Sequence, residues 1–305
     1  ATIRLPVALP AWRVHAARMA TGSAAKRHRA HDAITIGDEM KRYEEEACSS
    51  IVDLQRPCVV RLDGHCFHTY TKGFRRPYDL RIHEAMVATA TDLLERFGAV
   101  TAYTESDEIS LLFPPSTAES PSLPFSGRVQ KIVSVSAGFA SARFNLHMAS
   151  QPFDGEGEAP LAARVARSDA HFDSRVFSLP DEARLVEYMR WRALLDCRRN
   201  SISMLAQAHF PPARLHKLDA QAALRLLKEE KGVDWAREPA FFRFGTYVKK
   251  EQFTKEAFNP ITRAKVTAVR TRCAARSFEF QPSEALGFLL TRFWPEELSP
   301  NSASP

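Results

Sequence analysis

Two short acidic segments, each directly beside an apolar run, constrain this chain more than any other feature. Asp63-Gly64 follows the apolar run 58–62, and Glu105-Ser106-Asp107-Glu108 interrupts a second run. An unpaired carboxylate next to a buried strand is costly, so we expect a cation at this place. Mg2+ suits it, because this ion takes oxygen ligands and is usually bound by one or two carboxylates plus substrate phosphates.

The first run predicts a β-strand, because Cys58 to Leu62 is short, rich in β-branched residues and bounded by Pro57 and Gly64. Alternation along the strand places Asp63 on the same face as Val59 and Arg61. Gly64 lets the backbone turn closely around a ligand, and the main-chain N–H groups of residues 65–68 could then contact a triphosphate.

The second run predicts a hairpin from Ala99 to Phe113 that turns through Thr104, Glu105 and Ser106. Alternation then places Asp107 and Glu108 on opposite faces. We therefore expect Asp107 to bind metal beside Asp63, with Glu108 behind it or in contact with the nucleotide.

A helical stripe of apolar residues from Ile82 to Phe97 separates the two segments. A second helix is predicted around Lys131 to Met148, and a strand near Arg175 to Ser178. The order is β-α-β-β-α-β, so the predicted class is α+β with a ferredoxin-like palm domain, the arrangement found in nucleic-acid polymerases. The alternative without a metal site is that Asp63-Gly64 is an ordinary turn and that the side chains of Asp107 and Glu108 are solvated.

Several motifs in order resemble one known family. Arg61 to His68, Arg76 to Asp79 and Glu105 to Ser110 resemble the tRNA-histidine guanylyltransferase superfamily, which adds nucleotides to tRNA 5′ ends in the 3′-to-5′ direction. The match continues through Trp191-Arg192 and Asn200, and it spans roughly residues 35–280.

The resemblance implies a nucleotidyltransferase with two Mg2+ ions, at Asp63, the carbonyl of Gly64, and Asp107. It implies that Glu108 matters for activity. ATP would activate the tRNA 5′-monophosphate, and the 3′-hydroxyl of GTP or another nucleoside triphosphate would then displace AMP. A homotetramer would fit the family. The implied nucleotide-binding residues are Asp63, Gly64, His65, Cys66, Phe67, His68, Arg76, Asp79, Ser106 and Asp107.

One departure from the family pattern concerns the substrate. The family's histidine-specific enzymes carry His-Ile-Asn-Asn-Leu-Tyr where this chain has Arg198 to Ser203. The replacement resembles the guanylyltransferase-like branch, which repairs or edits truncated tRNA 5′ ends by templated addition. Alternatives are addition of one guanylate to tRNA-histidine, a nucleotide cyclase with the same carboxylates, and an RNA-binding protein with a degenerate site.

Basic residues predict where tRNA would bind. The stretches 184–199 and 263–276 are rich in arginine, although solvated surface is the alternative interpretation. The first turn of the second predicted helix could hold the 5′ phosphates. The predicted RNA-binding residues are Arg128, Lys131, Arg190, Arg192, Arg198, Asn200, Arg270 and Arg272.

The net charge of +6 does not itself indicate RNA binding, because residues 1–34 hold six Lys or Arg and one Asp. This segment predicts a mitochondrial targeting leader, with a disordered basic arm as the alternative. Residues 35–180 are predicted to form the palm, 181–290 a helical and β part that contacts tRNA, and 291–305 a disordered tail. No apolar run is long enough to span a membrane.

The five cysteines form no C-x-x-C pair, which favours a reducing compartment over a disulfide scaffold. His65, Cys66 and His68 raise the alternative of zinc. That alternative is disfavoured, because a fourth ligand is missing nearby and the carboxylates favour a hard ion.

Overall fold

The structure is a computed structural model that describes residues 35–117, 123–259 and 264–295, so the predicted leader 1–34 and residues 296–305 of the predicted tail lie outside the described residues. The helices are α1 (Ile36–Ala47), α2 (Phe67–Tyr70), α3 (Leu80–Phe97), α4 (Val129–Ala149), α5 (Ala159–Ala166), α6 (Glu182–Met189), α7 (Cys197–His209), α8 (Pro212–Leu215), α9 (Ala220–Lys231), α10 (Ala240–Phe244) and α11 (Leu286–Leu289). The strands are β1 (Cys58–Gly64), β2 (Thr101–Glu105), β3 (Glu108–Phe113), β4 (Phe172–Ser178), β5 (Thr246–Asn259) and β6 (Ala264–Arg276). A π-helix, Arg190–Asp196, joins α6 to α7.

Helix α1 belongs to a unit of its own, residues 1–47, and none of its residues is buried. Its first turn is capped by Thr35, whose Oγ1 accepts a hydrogen bond from the backbone N–H of Asp38 at 3.2 Å. Among the described helices of the chain, none is both long enough and apolar enough to cross a membrane.

The six strands form one antiparallel sheet in the order β4-β1-β3-β2-β5-β6. Its first four strands, with α3 between β1 and β2 and α4 between β3 and β4, have the split β-α-β-β-α-β topology. The predicted ferredoxin-like palm is therefore confirmed. The hairpin β5–β6 continues the same sheet from β2, so the sheet crosses the boundary predicted at residue 180.

Alternation in β1 assigns its side chains to two separate cores. Cys58, Val60 and Leu62 pack in the core that includes residues of α3 and α4. Val59 points to the opposite face and packs in a second core, with residues of α6 and α11. Asp63 shares the face of Val59, as predicted, so its side chain leaves the sheet on the side away from α3 and α4.

Helix α3 shows how the sequence fixes an element that borders the site. The Asp79 side chain accepts a hydrogen bond from the Arg81 N–H and caps its start, and Gly98 ends it with a left-handed φ of 75°. The predicted apolar stripe is confirmed, because its central residues are buried. They are Ala85, Met86, Ala90, Leu93, Leu94 and Phe97.

Two further parts complete the fold beside the palm. Helices α7, α9 and α10 share a third core, in which Leu205, Leu227 and Trp235 are buried. Near the end of the described chain, Trp294 is 5% exposed and donates its indole N–H to the Ala274 carbonyl at 3.1 Å. Residues 291–295, which the sequence assigned to a disordered tail, therefore include a residue that is packed against the fold.

Candidate active site

The two acidic segments meet where β1 ends. Asp63 pairs in register with Glu108 of β3, and the Gly64 N–H donates to the Asp107 carbonyl at 3.0 Å. The predicted hairpin is confirmed but its turn is not, because β2 continues to Glu105 and the loop consists of Ser106 and Asp107 alone. Asp107 therefore lies outside β3, and it is Glu108 that shares the face of Asp63.

The carboxylates of Asp63 and Asp107 form an acidic pair. Asp63 accepts a hydrogen bond from Arg61 at 3.0 Å, and its side chain remains 34% exposed. Burial raises the pKa of the Asp107 carboxyl, and the nearby charge of Asp63 raises it further. A cation bound between the two carboxylates would reduce this repulsion.

The donors fit a hard divalent ion and not zinc. Asp63, Asp107 and the carbonyl of Gly64 are oxygen ligands, and Mg2+ completes such a set with water and phosphate oxygens. Within the described ranges, no group of three or more His, Cys, Asp and Glu side chains could hold a metal ion by itself. His65, Cys66 and His68 therefore do not form a zinc site of their own.

The loop after β1 is shaped by tight packing. A Cβ atom at Gly64 would lie 2.3 Å from the Phe67 ring, and Cys66 adopts a left-handed φ of 55°. The Phe67 side chain is buried in the core and supports the loop, whereas the contact predicted through the main-chain N–H groups of residues 65–68 stays a prediction. His65 is exposed and its ring stacks on His171 with centroids 4.8 Å apart.

A pocket of about 370 Å3 opens beside the Ser106-Asp107 loop, within the range that holds small ligands. Its lining combines predicted nucleotide-binding residues with aromatic residues and polar side chains of α7. Among the lining residues are His68, Arg76, Tyr78, His83, Ser106, Asp107, Asn200, Gln207 and Phe241.

Asp79, a predicted nucleotide-binding residue that lines the pocket, also has a role in the fold. Its side chain is 2% exposed and forms an ion pair with Arg81 at 2.8 Å. It also accepts hydrogen bonds from the backbone N–H groups of Arg75 and Arg81. These hydrogen bonds and the charge of Arg81 hold the pKa of Asp79 below its ordinary value despite burial. The carboxylate orders the loop that carries Arg76.

Arg192 is buried, which contradicts its predicted contact with RNA. It is 6% exposed, and it donates to both carboxylate oxygens of Glu108 and to Asp196. The π-helix brings this side chain inward, although the local sequence is rich in arginine. Buried guanidinium groups require paired carboxylates, and the acidic residues of β3 and of the π-helix provide them.

Asn200, which the sequence predicts to bind RNA, lines the pocket. Its amide donates to Glu105 Oε1 at 3.4 Å. Burial and the charge of Glu108 raise the pKa of Glu105 to about 8. Sequence reasoning missed Glu105 as a site residue, although it stands in the same acidic motif as Asp107.

Arg175 of β4 is a second residue that sequence reasoning missed. The register pairs it with Arg61, two residues from the Asp63–Asp173 pair, so it shares their face. Its side chain is 50% exposed and forms an ion pair with Asp173 at 3.0 Å. The charged residues at the alternate positions 173 and 175 were the available signal for a strand with one charged face.

The remaining predicted RNA-binding cations are exposed but dispersed. Arg128, at the start of α4, forms a β-bridge with Ile51, which precedes β1. Farther along α4, Ser141 and Asn145 form hydrogen bonds to the chain at or close to Phe172, and Phe172 pairs with Gly64 at the end of β1. The first turn of α4, with Lys131, therefore lies toward the opposite end of the sheet from Asp63, and its predicted 5′-phosphate contact is not supported within one chain.

The other predicted cations differ in their partners. Arg190 forms an exposed ion pair with Glu187, and Arg198 lies over the Trp235 ring at 4.5 Å. Arg270 is exposed on β6. Arg272 pairs with Glu251 of β5 at 2.5 Å, so the basic stretch 263–276 is partly neutralised by the neighbouring strand.

Comparisons with known proteins agree with this fold. The family model described as Thg1, tRNAHis guanylyltransferase, matches residues 37–180. An uncharacterized protein of Acanthamoeba polyphaga mimivirus is 31% identical over 226 residues, which cover 71% of this chain and 77% of that protein.

Solved structures extend the comparison. A bacterial tRNA(His) guanylyltransferase (Thg1)-like protein in complex with ATP is 36% identical, with a TM-score of 0.61 over 70% of this chain and 88% of that one. A bacterial Thg1-like protein in complex with GTP is 32% identical, with a TM-score of 0.59 over 79% and 90%. The tRNA(His) guanylyltransferase from Saccharomyces cerevisiae, at 23% identity and a TM-score of 0.53 over 65% and 87%, shares the fold. The chain thus belongs to the tRNA-histidine guanylyltransferase (Thg1) family of nucleotidyltransferases that act on tRNA.

Proposed function

We propose that this protein adds nucleotides to the 5′ end of tRNA in the 3′-to-5′ direction and so repairs or edits truncated ends. The observation that carries the proposal is the segment Arg198 to Ser203, which replaces the histidine-specific segment and from which Asn200 lines the pocket. The identities agree, being 36% and 32% to the bacterial Thg1-like chains and 23% to the yeast guanylyltransferase.

ATP and GTP are the proposed nucleotide substrates, because the bacterial Thg1-like proteins bind them. Asp63, Asp107 and the Gly64 carbonyl would hold two Mg2+ ions, which offset phosphate charge and activate the attacking oxygen when bound. The protein's own residues act mainly by positioning. Ser106 and Arg76 line the pocket, where a hydroxyl and a guanidinium can contact a triphosphate.

The proposed reaction has two displacements. An oxygen of the tRNA 5′-monophosphate attacks the α-phosphorus of ATP, and pyrophosphate leaves. The 3′-hydroxyl oxygen of the incoming nucleotide then attacks the tRNA 5′-phosphorus and loses its proton, and AMP leaves. A tRNA with a 5′-triphosphate enters at the second displacement, where pyrophosphate is the leaving group.

Addition of a single guanylate to tRNA-histidine is the second candidate, favoured by the description of the matching family model. Truncated tRNA, intact tRNA-histidine and each nucleotide in turn distinguish the two. We expect additions complementary to the opposite acceptor strand, on several tRNAs. A single guanylate added only to tRNA-histidine would support the second candidate instead.

The metal assignment has its own test. Asp63→Asn and Asp107→Asn should each lower kcat for nucleotide addition at least about 100-fold, because a metal-binding carboxylate is lost from a displacement that depends on charge neutralisation. Circular dichroism should show that both variants remain folded. Full activity of either variant would contradict its role as a metal ligand.

Two further proposals concern the cell and the assembly. We propose import into mitochondria on the basis of the basic segment 1–34, and a fluorescent fusion of residues 1–40 that stays in the cytosol would contradict it. We also propose a homotetramer, because that assembly fits the family. Light scattering after gel filtration should give four times the mass of 34.3 kDa.

A further inference from the structure

A continuous chain of ion pairs connects the π-helix to Asp63. Arg192 donates from Nε to Glu108 Oε1 at 2.8 Å and from Nη2 to Oε2. Glu108 Oε2 in turn lies 2.7 Å from Arg61 Nε, and Arg61 Nη2 donates to Asp63 Oδ2 at 3.0 Å. Four side chains from β1, β3 and the π-helix thus form one connected path.

The path becomes more exposed toward the site. The side chains of Arg192 and Glu108 are 7% and 6% exposed, that of Arg61 is 16% exposed, and that of Asp63 is 34% exposed. At its buried end, breaking the pair of Arg192 and Glu108 would leave a charge without a partner and away from water, which is strongly destabilising. The buried arginine–carboxylate pair therefore fixes the position of Glu108 from one side.

The contacts of Glu108 and Arg61 connect the buried pair to the Asp63 carboxylate. Glu108 Oε2 accepts from Arg192 and also lies beside Arg61 Nε, and Arg61 uses a second nitrogen to bind Oδ2 of Asp63. That bond restrains the rotation of the Asp63 carboxylate. Side chains that orient a metal ligand in this manner typically change metal affinity about 10–100-fold when they are removed.

We propose that Arg192 is a positioning residue of the metal site, which acts through Glu108 and Arg61 on the orientation of Asp63. The inference rests on the proposed function, in which Asp63 binds a divalent ion. It gives Arg192 a role in metal binding in place of the RNA contact suggested by its sequence neighbours. Arg192 also pairs with Asp196 within the π-helix, so its guanidinium group is held from both its own helix and β3.

The test measures binding of Mn2+ by electron paramagnetic resonance, which needs no turnover. Arg192→Gln should weaken Mn2+ affinity about 10-fold or more. Arg192→Lys keeps the charge but loses the two-point contact, so its affinity should be intermediate. The half-saturating Mg2+ concentration for nucleotide addition should rise in the same order.

The matched control is Arg143→Gln. Arg143 also forms a short ion pair, to Asp92 at 2.6 Å, but it lies on α4, which packs against the other face of the sheet. We expect Mn2+ affinity of this variant within about 2-fold of that of the unaltered protein, because the pair is remote from the carboxylates that would bind metal.

A fourth variant separates positioning from folding. Arg192→Gln could unfold the protein by leaving Glu108 buried and partly unpaired, whereas the double variant Arg192→Met with Glu108→Gln removes both charges. This double variant should keep cooperative unfolding and still bind Mn2+ weakly, because Arg61 has lost its anchor. Affinity equal to that of the unaltered protein in the folded double variant would overturn the proposal.

Asp63→Asn distinguishes the two levels of inference. If this variant binds Mn2+ as tightly as the unaltered protein, the assignment of Asp63 as a metal ligand fails, and the role of Arg192 fails with it. If Asp63→Asn binds Mn2+ weakly while the Arg192 variants bind it normally, the metal site stands and only the positioning role of Arg192 is overturned.

Discussion

Gly64 makes the closest backbone approach in the site. Its α-carbon faces the Phe67 ring, and a Cβ atom there would lie 2.3 Å from Phe67 Cδ2. The ring cannot move away easily, because Tyr70, Phe144 and Phe172 pack around it with centroid distances of 5.4, 5.2 and 5.1 Å. A single methyl group at residue 64 must therefore displace either the core or the loop.

Gly64→Ala should lower the free energy of unfolding by about 1–3 kcal/mol, as overpacking of a core does. It should also lower kcat, because Gly64 directly follows Asp63 at the end of β1. Urea denaturation measures the first effect. Gly138→Ala is the control, since its Cβ would meet nothing within 4 Å inside α4, and it should stabilise by about 0.5–1 kcal/mol. Equal stability of Gly64→Ala and the unaltered protein would contradict the contact.

His83 should make stability depend on pH. Burial lowers its pKa to about 4, and its ring stacks on Phe241 with centroids 4.0 Å apart. The unfolded chain takes up this proton below about pH 6.5 but the folded chain only near pH 4. The free energy of unfolding therefore falls as the pH is lowered across that window.

His83→Phe keeps a ring on Phe241 and removes the proton site. Its stability should consequently fall less than that of the unaltered protein between about pH 7.5 and pH 5, as measured by urea denaturation at each pH. Other titrating groups contribute to both proteins and cancel in the comparison. Identical losses of stability in the two proteins would show that His83 does not titrate in this window.

The buried side chain of Lys249 connects three parts of the fold. It extends from β5 with no exposed surface, and its ammonium nitrogen donates to Thr101 Oγ1 at 2.7 Å. It also donates to the carbonyl groups of Val100, Phe288 and Thr291. These contacts tie β5 to the start of β2 and to the segment around α11.

Lys249→Met should destabilise the protein by about 2–4 kcal/mol, because buried acceptors lose their donor while the chain length is nearly kept. Thermal unfolding followed by calorimetry measures the loss. The matched control is Lys255→Met on the exposed part of the same strand, which should change stability by less than about 0.5 kcal/mol. A loss of similar size in both variants would show that the strand itself is sensitive to the substitution.

The elements that the sequence predicted well are those whose periodicity is local. β1, α3 and the hairpin appear where apolar spacing placed them, because alternation and the helical stripe are properties of each segment alone. The loop of the hairpin was misplaced by two residues. Thr104 and Glu105 resemble turn residues, but pairing with Ile109 and Glu108 extends the strand. Because the turn was placed too early, Asp107 was wrongly assigned to one face of the second strand, whereas it lies in the loop.

Ion pairs between distant parts of the molecule determine which basic side chains are available to contact RNA. Within the described ranges, the guanidinium group of Arg192 forms ion pairs with buried carboxylates, and that of Arg272 forms an ion pair with Glu251. Such pairings join residues distant in sequence, so a count of arginines along the chain could not predict them. The acidic pair at Asp63 and Asp107 was predictable, because each lies at the end of a recognisable strand.

Arg270→Gln should weaken binding of all tRNAs equally and reduce the salt dependence of binding by about one ion, because an exposed arginine on β6 would contact phosphate and not bases. Filter binding at several salt concentrations measures the slope. Lys228→Gln, an exposed cation on α9, is the control and should leave the slope unchanged. A loss of affinity confined to one tRNA would instead indicate that Arg270 reads identity.

The π-helix between α6 and α7 has a consequence for aligning this chain with its relatives. A π-helix is an α-helix with one added residue absorbed locally. Each residue of an α-helix turns the following side chains by about 100°, so the same number of residues in a regular helix would rotate Asn200 out of the pocket. A relative with a regular helix here should therefore be one residue shorter between the counterparts of Arg192 and Asn200. An alignment that places the gap elsewhere would match Asn200 to a residue of the relative that does not line its pocket.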